Sequence, residues 1–203
     1  MRLHKIWWVG IIIMGVASLS YAQVDIDDRG EETTNHNYFV ANQTPYLRNL
    51  LALNEKFHMN GCPHNPDGTL GDIRLGHYKD AASDMEEMLI HWVNHPKVLQ
   101  LLGFIAVQMK QTGMPIKYFE RAVSLYPNYP LTHAQYGAYL VMIGNLQAGI
   151  DKLKFATEKD PKLTAGFVWL AQAYQKIGDA KLAGEAAARA RELGYQGKLS
   201  DFK

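Results

Sequence analysis

The chain has 203 residues, with 21 Lys and Arg against 20 Asp and Glu. That near balance gives no electrostatic case for a nucleic acid or an anionic membrane as partner. Cys62 is the sole cysteine, so no internal disulfide forms; stability comes from packing, and Cys62 is buried, free or joined to another molecule.

The N-terminus reads as a targeting signal. Arg2 and Lys5 precede an apolar run from Ile6 to Ala17, and Ser20-Tyr21-Ala22 sets small residues before a cut after Ala22. Residues 1–22 are therefore expected to be a secretory signal peptide, with an uncleaved membrane anchor as the alternative. The expected location is periplasmic or secreted, in a bacterial source, with no membrane partner after cleavage. Removing the signal takes two basic residues and no acidic one, so the remainder stays close to neutral. Residues 23–43 are polar and acidic, with Asp25, Asp27, Asp28, Glu31 and Glu32, and are expected to be a mostly disordered tail.

Pro45 to about His58 reads as a helix. Thr44 suits the cap, Pro45 the first turn, and Tyr46, Leu47, Leu50, Leu51, Leu53 and Phe57 recur at three-to-four spacing. Residues 60–72 are dense in Gly, Pro, Asn and Asp and are expected to be a loop. Helical patterning resumes near His77 and runs to the end, with breaks at Asn94–Pro96, Thr112–Pro115, Pro127–Pro130, Gly144, Pro161 and Gly178. The pieces between have the length of one arm of a helical hairpin. No segment alternates as a strand does. The expected organisation is N-terminal capping helices over 44–95 and repeats with a C-terminal cap over 96–203.

The strongest signal is self-similarity. Gly137, Gly144, Gly149, Leu153, Ala156 and Pro161 reappear at a period of about 34 residues as Ala171, Gly178, Ala183, Ala187, Ala190 and Tyr195, while Tyr136 and Leu140 become Leu170 and Tyr174. Small residues mark where two helices approach closely, large ones fill the volume between, and Gly144 and Gly178 supply tight turns. The block Pro96 to Tyr126 departs from this pattern. Its turn glycine, Gly113, sits three residues late, and Pro115 replaces a small residue, which predicts a second helix about one turn short. Gly76 to Ala81 reads as the turn and second helix of a degenerate repeat whose first helix is the Pro45–His58 segment.

The spacing and residue types from about Pro96 to Leu193, and more weakly from Gly76, resemble the tetratricopeptide-repeat (TPR) family. The resemblance implies an all-α, right-handed superhelix of stacked antiparallel hairpins, about three to four repeats, whose first helices line a concave face that binds a protein or peptide. The inward positions are then Gln100, Phe104, Val107 and Gln108; Leu131, Ala134, Gln135, Ala138 and Val141; and Ala165, Val168, Trp169, Gln172 and Gln175, with Lys176 nearby. The candidate partner-binding residues are Gln100, Phe104, Val107, Gln135, Val141, Trp169, Gln172 and Gln175. Glutamines can pair with a peptide backbone and Trp169 can anchor an apolar side chain. The face lacks the Lys, Arg and Asn set with which some TPR proteins clamp a chain-end carboxylate.

The expected role is a non-catalytic scaffold or adaptor without a cofactor, since no nucleophile elbow, phosphate-binding glycine loop or framed carboxylate pair is present. The competing reading is a metal- or thiol-handling accessory protein that uses His58, Cys62 and His64, three possible soft-metal ligands within seven residues. The remaining histidines, including His91, His95 and His133, read as surface or helix-end residues.

Overall fold

The computed structural model describes residues 35–60 and 67–197. The expected signal peptide, residues 23–34 of the tail, Cys62, His64 and residues 198–203 lie outside these. The described chain is helical throughout, with a lone β-bridge between His36 and Trp92. The helices are α1 (Pro45–Asn54), α2 (Gly68–Leu75), α3 (Tyr78–His91), α4 (Pro96–Gln108), α5 (Ile116–Leu125), α6 (Pro130–Met142), α7 (Leu146–Lys159), α8 (Thr164–Ile177) and α9 (Ala180–Glu192). A 3₁₀ turn at Tyr38–Gln43 precedes α1, and a π-helical turn at Glu55–Met59 follows it.

From α2 onward the helices follow one another as four hairpins, α2/α3, α4/α5, α6/α7 and α8/α9, stacked in chain order into an all-α superhelix, with the arms packed on each other in all but α4/α5. The hairpin turns share one geometry. Gly76, Lys110, Gly144 and Gly178, each one repeat period from the next, are the residues that turn with positive φ, at 79°, 59°, 92° and 80°. In every turn the following N–H reaches five residues back: His77 to Asp72, Gln111 to Ala106, Asn145 to Leu140 and Asp179 to Tyr174, at 2.8–3.0 Å. The turn residue's own N–H bonds three back, as from Gly144 to Val141. This double bond satisfies the last carbonyls of each first arm.

The common register corrects three expectations. The turn of the α4/α5 hairpin is not late: it falls on Lys110, and Gly113 is not its pivot. The shift lies in α5, which starts at Ile116 where its counterparts α3, α7 and α9 start two residues after their turns. Pro115 explains the delay, because a helix begun earlier would need its N–H on the Gln111 carbonyl and would drive its ring into that carbonyl. The second arm is accordingly short, as expected. The first arm of the N-terminal repeat is α2 rather than α1, so the expected loop over 60–72 is helical from Gly68, and the hairpin array begins before residue 96. Thr69 is buried one period before Gly103, takes the small-residue place and donates to the carbonyl of His58 at 2.5 Å.

The stretch expected to be a tail is also ordered from Asn35 onward. His36 N–H donates to the His91 carbonyl (2.7 Å) and its own carbonyl accepts from Val93. Asn37 accepts from Asn94 and donates to the Tyr129 hydroxyl at 2.7 Å, while Tyr38 N–H donates to Asn94 Oδ1. Phe39 stacks on Tyr129 at 4.8 Å, and Ala41 is buried. Four of the six residues from His36 to Ala41 are aromatic or apolar, which offsets the polarity of what precedes them.

Between hairpin arms, the small residues act by contact. A Cβ on Gly137 would lie 2.7 Å from the Gly149 carbonyl oxygen, so α6 and α7 touch backbone to backbone. In α4/α5 no such approach exists. Gly103 instead faces the ring of Tyr139 from α6, which a Cβ would meet at 3.0 Å. Tyr139 stacks on Phe119 and donates to the Thr112 carbonyl at 2.7 Å, filling the room left by the missing turn of α5. One hydrophobic cluster centres on Met85, Trp92, Leu99, Leu102 and Phe119; the other, on α6–α9, is built from Leu153, Tyr174 and alanines.

Three histidines expected at the surface or at helix ends are buried: His36, His95 and His133. His95 caps α4, its Nδ1 accepting from Val98 N–H, so Nε2–H donates to Glu55 at 3.0 Å and ties the end of α1 to the hairpins. Burial holds its imidazole below the usual pKa of 6.5, with Glu55 pulling the other way. His133, which bonds the Pro127 carbonyl, is lowered by burial too.

Two measurements follow. A lysine in left-handed geometry costs about 1–2 kcal/mol, of which glycine returns part to unfolded-chain entropy. Lys110→Gly should therefore raise stability by about 0.5–1 kcal/mol, read as a melting point higher by a few degrees; an unchanged or lower value would contradict the turn assignment. A histidine whose folded pKa is depressed is neutral in both states at high pH, and the unfolded chain takes up its proton first as pH falls. Stability should drop as pH falls below about 6.5, and His95→Gln should flatten that slope in urea melts, leaving the share of His133. An unaltered slope would show that His95 does not carry it.

Candidate peptide groove

The first arms α4, α6 and α8 run side by side and leave a cavity of about 570 Å³ between them, open along one face. Its walls are Gln100, Phe104 and Val107 from α4, Gln135 and Val141 from α6, and Trp169 and Gln172 from α8. Seven of the eight sequence-predicted positions thus share one surface. Gln175, one turn beyond Gln172 on α8, is exposed and does not line it. Its counterpart one repeat earlier, Val141, is covered by the next hairpin; the described residues hold no further hairpin to cover Gln175. Ala134 and Val168, also expected to face inward, are buried within the stack.

Three repeat-equivalent residues set the shape. Phe104, Ala138 and Gln172 occupy the same place in successive hairpins, and the alanine between two large side chains makes the hollow. Phe104 remains 44% exposed, with Tyr78 edge-on at 6.5 Å, and Met142 is likewise open at the rim. The inner wall is Leu99, Gly103, Phe119 and Tyr139. These were missed because the resemblance implies only the solvent-facing stripe of each first arm. They reach the cavity because α5 is short and Gly103 has no side chain. Burial pushes the Tyr139 hydroxyl up to about 12, which keeps it a hydrogen-bond donor to Thr112.

The lining is apolar and amide-rich, and two buried amide atoms lack a hydrogen bond. Gln135 donates its Nε2 to the Pro96 carbonyl at 2.8 Å, which leaves Oε1 as an unmet acceptor. Gln172 Nε2 is an unmet donor. Lys176 is the cation of the lining, and its Nζ lies 3.4 Å from the Val141 carbonyl. Two titratable side chains, Tyr139 and Lys176, belong to the cavity, and they provide no nucleophile with a paired base.

Of the loop residues considered as metal ligands, His58 is described; its Nδ1 lies 3.6 Å from Asp84 Oδ1. Elsewhere among the described residues, Asp72, His77 and Asp80 gather at the α2–α3 turn with ligand atoms within 4.8 Å of one another. His77 pairs with Asp72 there at 3.4 Å, and His77 and Asp80 are exposed.

No family model matches the chain, and no curated protein is similar to it. Solved structures are. YrrB, a TPR protein with an unusual peptide-binding site, aligns with a TM-score of 0.51 at 21% identity, over 80% of this chain and 85% of its own. MamA from Desulfovibrio magneticus RS-1 aligns with a TM-score of 0.49 at 21% identity, over 72% of this chain and 84% of its own. A second MamA structure gives 0.48 at 16%, over 62% and 73%. The four hairpins, turning at one constant interval, and the match to YrrB identify the fold as that of a tetratricopeptide-repeat protein.

Proposed function

We propose that the chain is an exported, non-catalytic scaffold that holds an extended peptide segment of a partner protein in the α4–α6–α8 groove. The observation that carries this reading is the apolar hollow over Ala138 between Phe104 and Trp169, bordered by the side-chain amides of Gln100, Gln135 and Gln172, a group that both donates and accepts. A peptide backbone offers both complements at every residue. An anchor of Leu or Phe size buried in the hollow contributes about 1.5–3 kcal/mol. Each hydrogen bond that the peptide backbone makes to a groove amide contributes about 0.5–1.5 kcal/mol. Trp169 gives the anchor a flat aromatic wall. The TPR fold shared with YrrB, itself a protein with a peptide-binding site, supports the same reading. The basic start, apolar run and small-residue cut site of residues 1–22 support export to the periplasm or beyond.

A photo-crosslinking residue at Met142, on the groove rim, should capture partner segments in envelope fractions. The same residue at Gly184, on α9 where an added Cβ meets nothing within 4 Å, should not. Ala138→Trp, which fills the hollow from a half-buried position, should abolish capture while the fold melts within a few degrees of wild type. Cys62→Ser should leave capture intact. Adducts that survive Ala138→Trp, or that form equally from position 184, would refute the groove; protein confined to the cytoplasm would refute export.

A further inference from the structure

The distribution of charge over the hairpins is one-sided. Not one of the chain's 20 Asp and Glu residues lies on α4, α6 or α8. The second arms, which pack behind them, carry acids on every helix, among them Asp84, Glu120, Asp151 and Glu185. The concave wall therefore has no carboxylate of its own, and Lys176 stands at its edge with an exposed ammonium. Its one hydrogen bond is to a neutral carbonyl, that of Val141, and among the described residues no carboxylate lies within ion-pair distance of it. A groove with a cation and no anion repels basic segments and gains from acidic ones, because like charges across an interface are costly and opposite ones fix register.

We infer that the groove selects segments in which a large apolar side chain, seated over Ala138, stands next to an acidic side chain that meets Lys176. This rests on the peptide-groove reading above and adds the chemistry of the occupant. The register comes from the helix. Lys176 Nζ reaches the carbonyl of Val141 at 3.4 Å, three residues beyond Ala138 on α6 and so about 4.5 Å further along that axis. An extended chain advances about 3.3 Å per residue, so the acid belongs one or two residues from the anchor. The ammonium is compact and on a flexible stem, so it takes a side-chain carboxylate as a point charge rather than through a planar fork. The absence of carboxylates from three adjacent helices makes the preference a property of the whole wall, and Lys176 gives it a position.

The test is selection from a random twelve-residue peptide library displayed on phage, panned against the full chain and three variants, Ala138→Trp, Lys176→Gln and Lys176→Glu. The expected peptides pair an aromatic or large aliphatic residue with Asp or Glu one or two positions away, and are lost on Ala138→Trp. Against Lys176→Gln the acid preference should vanish, and against Lys176→Glu it should reverse to Lys or Arg. A selected acidic peptide should bind Lys176→Glu about threefold to tenfold more weakly, the size of an exposed ion pair exchanged for a like-charge contact. Lys176→Gln keeps the stem and removes only the charge, so a loss shared by both variants is not a folding defect. Peptides that depend on Ala138 yet lack an acid, or ignore both Lys176 variants, would overturn the charge assignment and leave the groove standing. If no peptide depends on Ala138, the groove reading fails and this inference with it.

Discussion

A residue with positive φ, placed once in every repeat, governs the described chain from α2 onward. At Gly76, Lys110, Gly144 and Gly178 the left-handed geometry lets two successive N–H groups turn back onto the preceding arm. The arm's last carbonyls are thereby satisfied, and the chain reverses within two residues. Reversal at a constant interval puts every first arm on one side of the stack. The alignment of Phe104, Ala138 and Gln172 across three helices follows from it. Lys110 shows how strongly the position is determined. A residue with a Cβ is held in a conformation it disfavours, because hairpins on both sides impose the register.

The groove arises from a lapse in the repeat. In α6/α7 two glycines bring the arms into backbone contact, and a chain built only of such hairpins would present a shallow concave face. At the equivalent place in α4/α5 stands Pro115, which blocks the first turn of α5 and prevents the close approach. Tyr139 leans into the resulting space over Gly103 and stacks on Phe119. The small side chain of Ala138 leaves the cavity between Phe104 and Trp169, and Gly103, Phe119 and Tyr139 form its inner wall. Regular repeats set the direction of the site, and the irregular one gives it depth.

Much of this was legible in residue types. The constant recurrence, the helix breaks and the short α5 are written in Gly, Ala and Pro, whose conformational demands are local. The concave positions follow by counting turns from those marks, which is why seven of eight candidate residues meet in one cavity. What escaped has a common cause: tertiary contact overriding local preference. Lys110 carries no sign of left-handed geometry, and the nearby Gly113 looked like the better pivot. Helix α2 contains Gly68 and Gly71 and follows a Pro- and Asn-rich stretch, so its helicity depends on packing against α3 and the π-helical turn rather than on propensity. His95 reads as polar and is almost fully buried, because a helix cap and Glu55 together satisfy both ring nitrogens.

The ordered segment before α1 belongs to the same account. The α4/α5 hairpin, lacking the glycine contact that joins α6 to α7, would hold α5 loosely. Asn35 accepts from both Arg121 and the Tyr126 hydroxyl at the end of α5, and Asn37 bridges Asn94, before α4, to Tyr129, before α6. Phe39 closes the same gap by stacking on Tyr129. Residues 35–39 thus join the starts of α4 and α6, the two walls that flank the cavity, across the one hairpin whose own arms do not hold each other. The separation of Phe104 from Ala138, and with it the width of the groove, is set partly by side chains far upstream in sequence. An irregular repeat could open the site only because a non-repeat segment supports its other side.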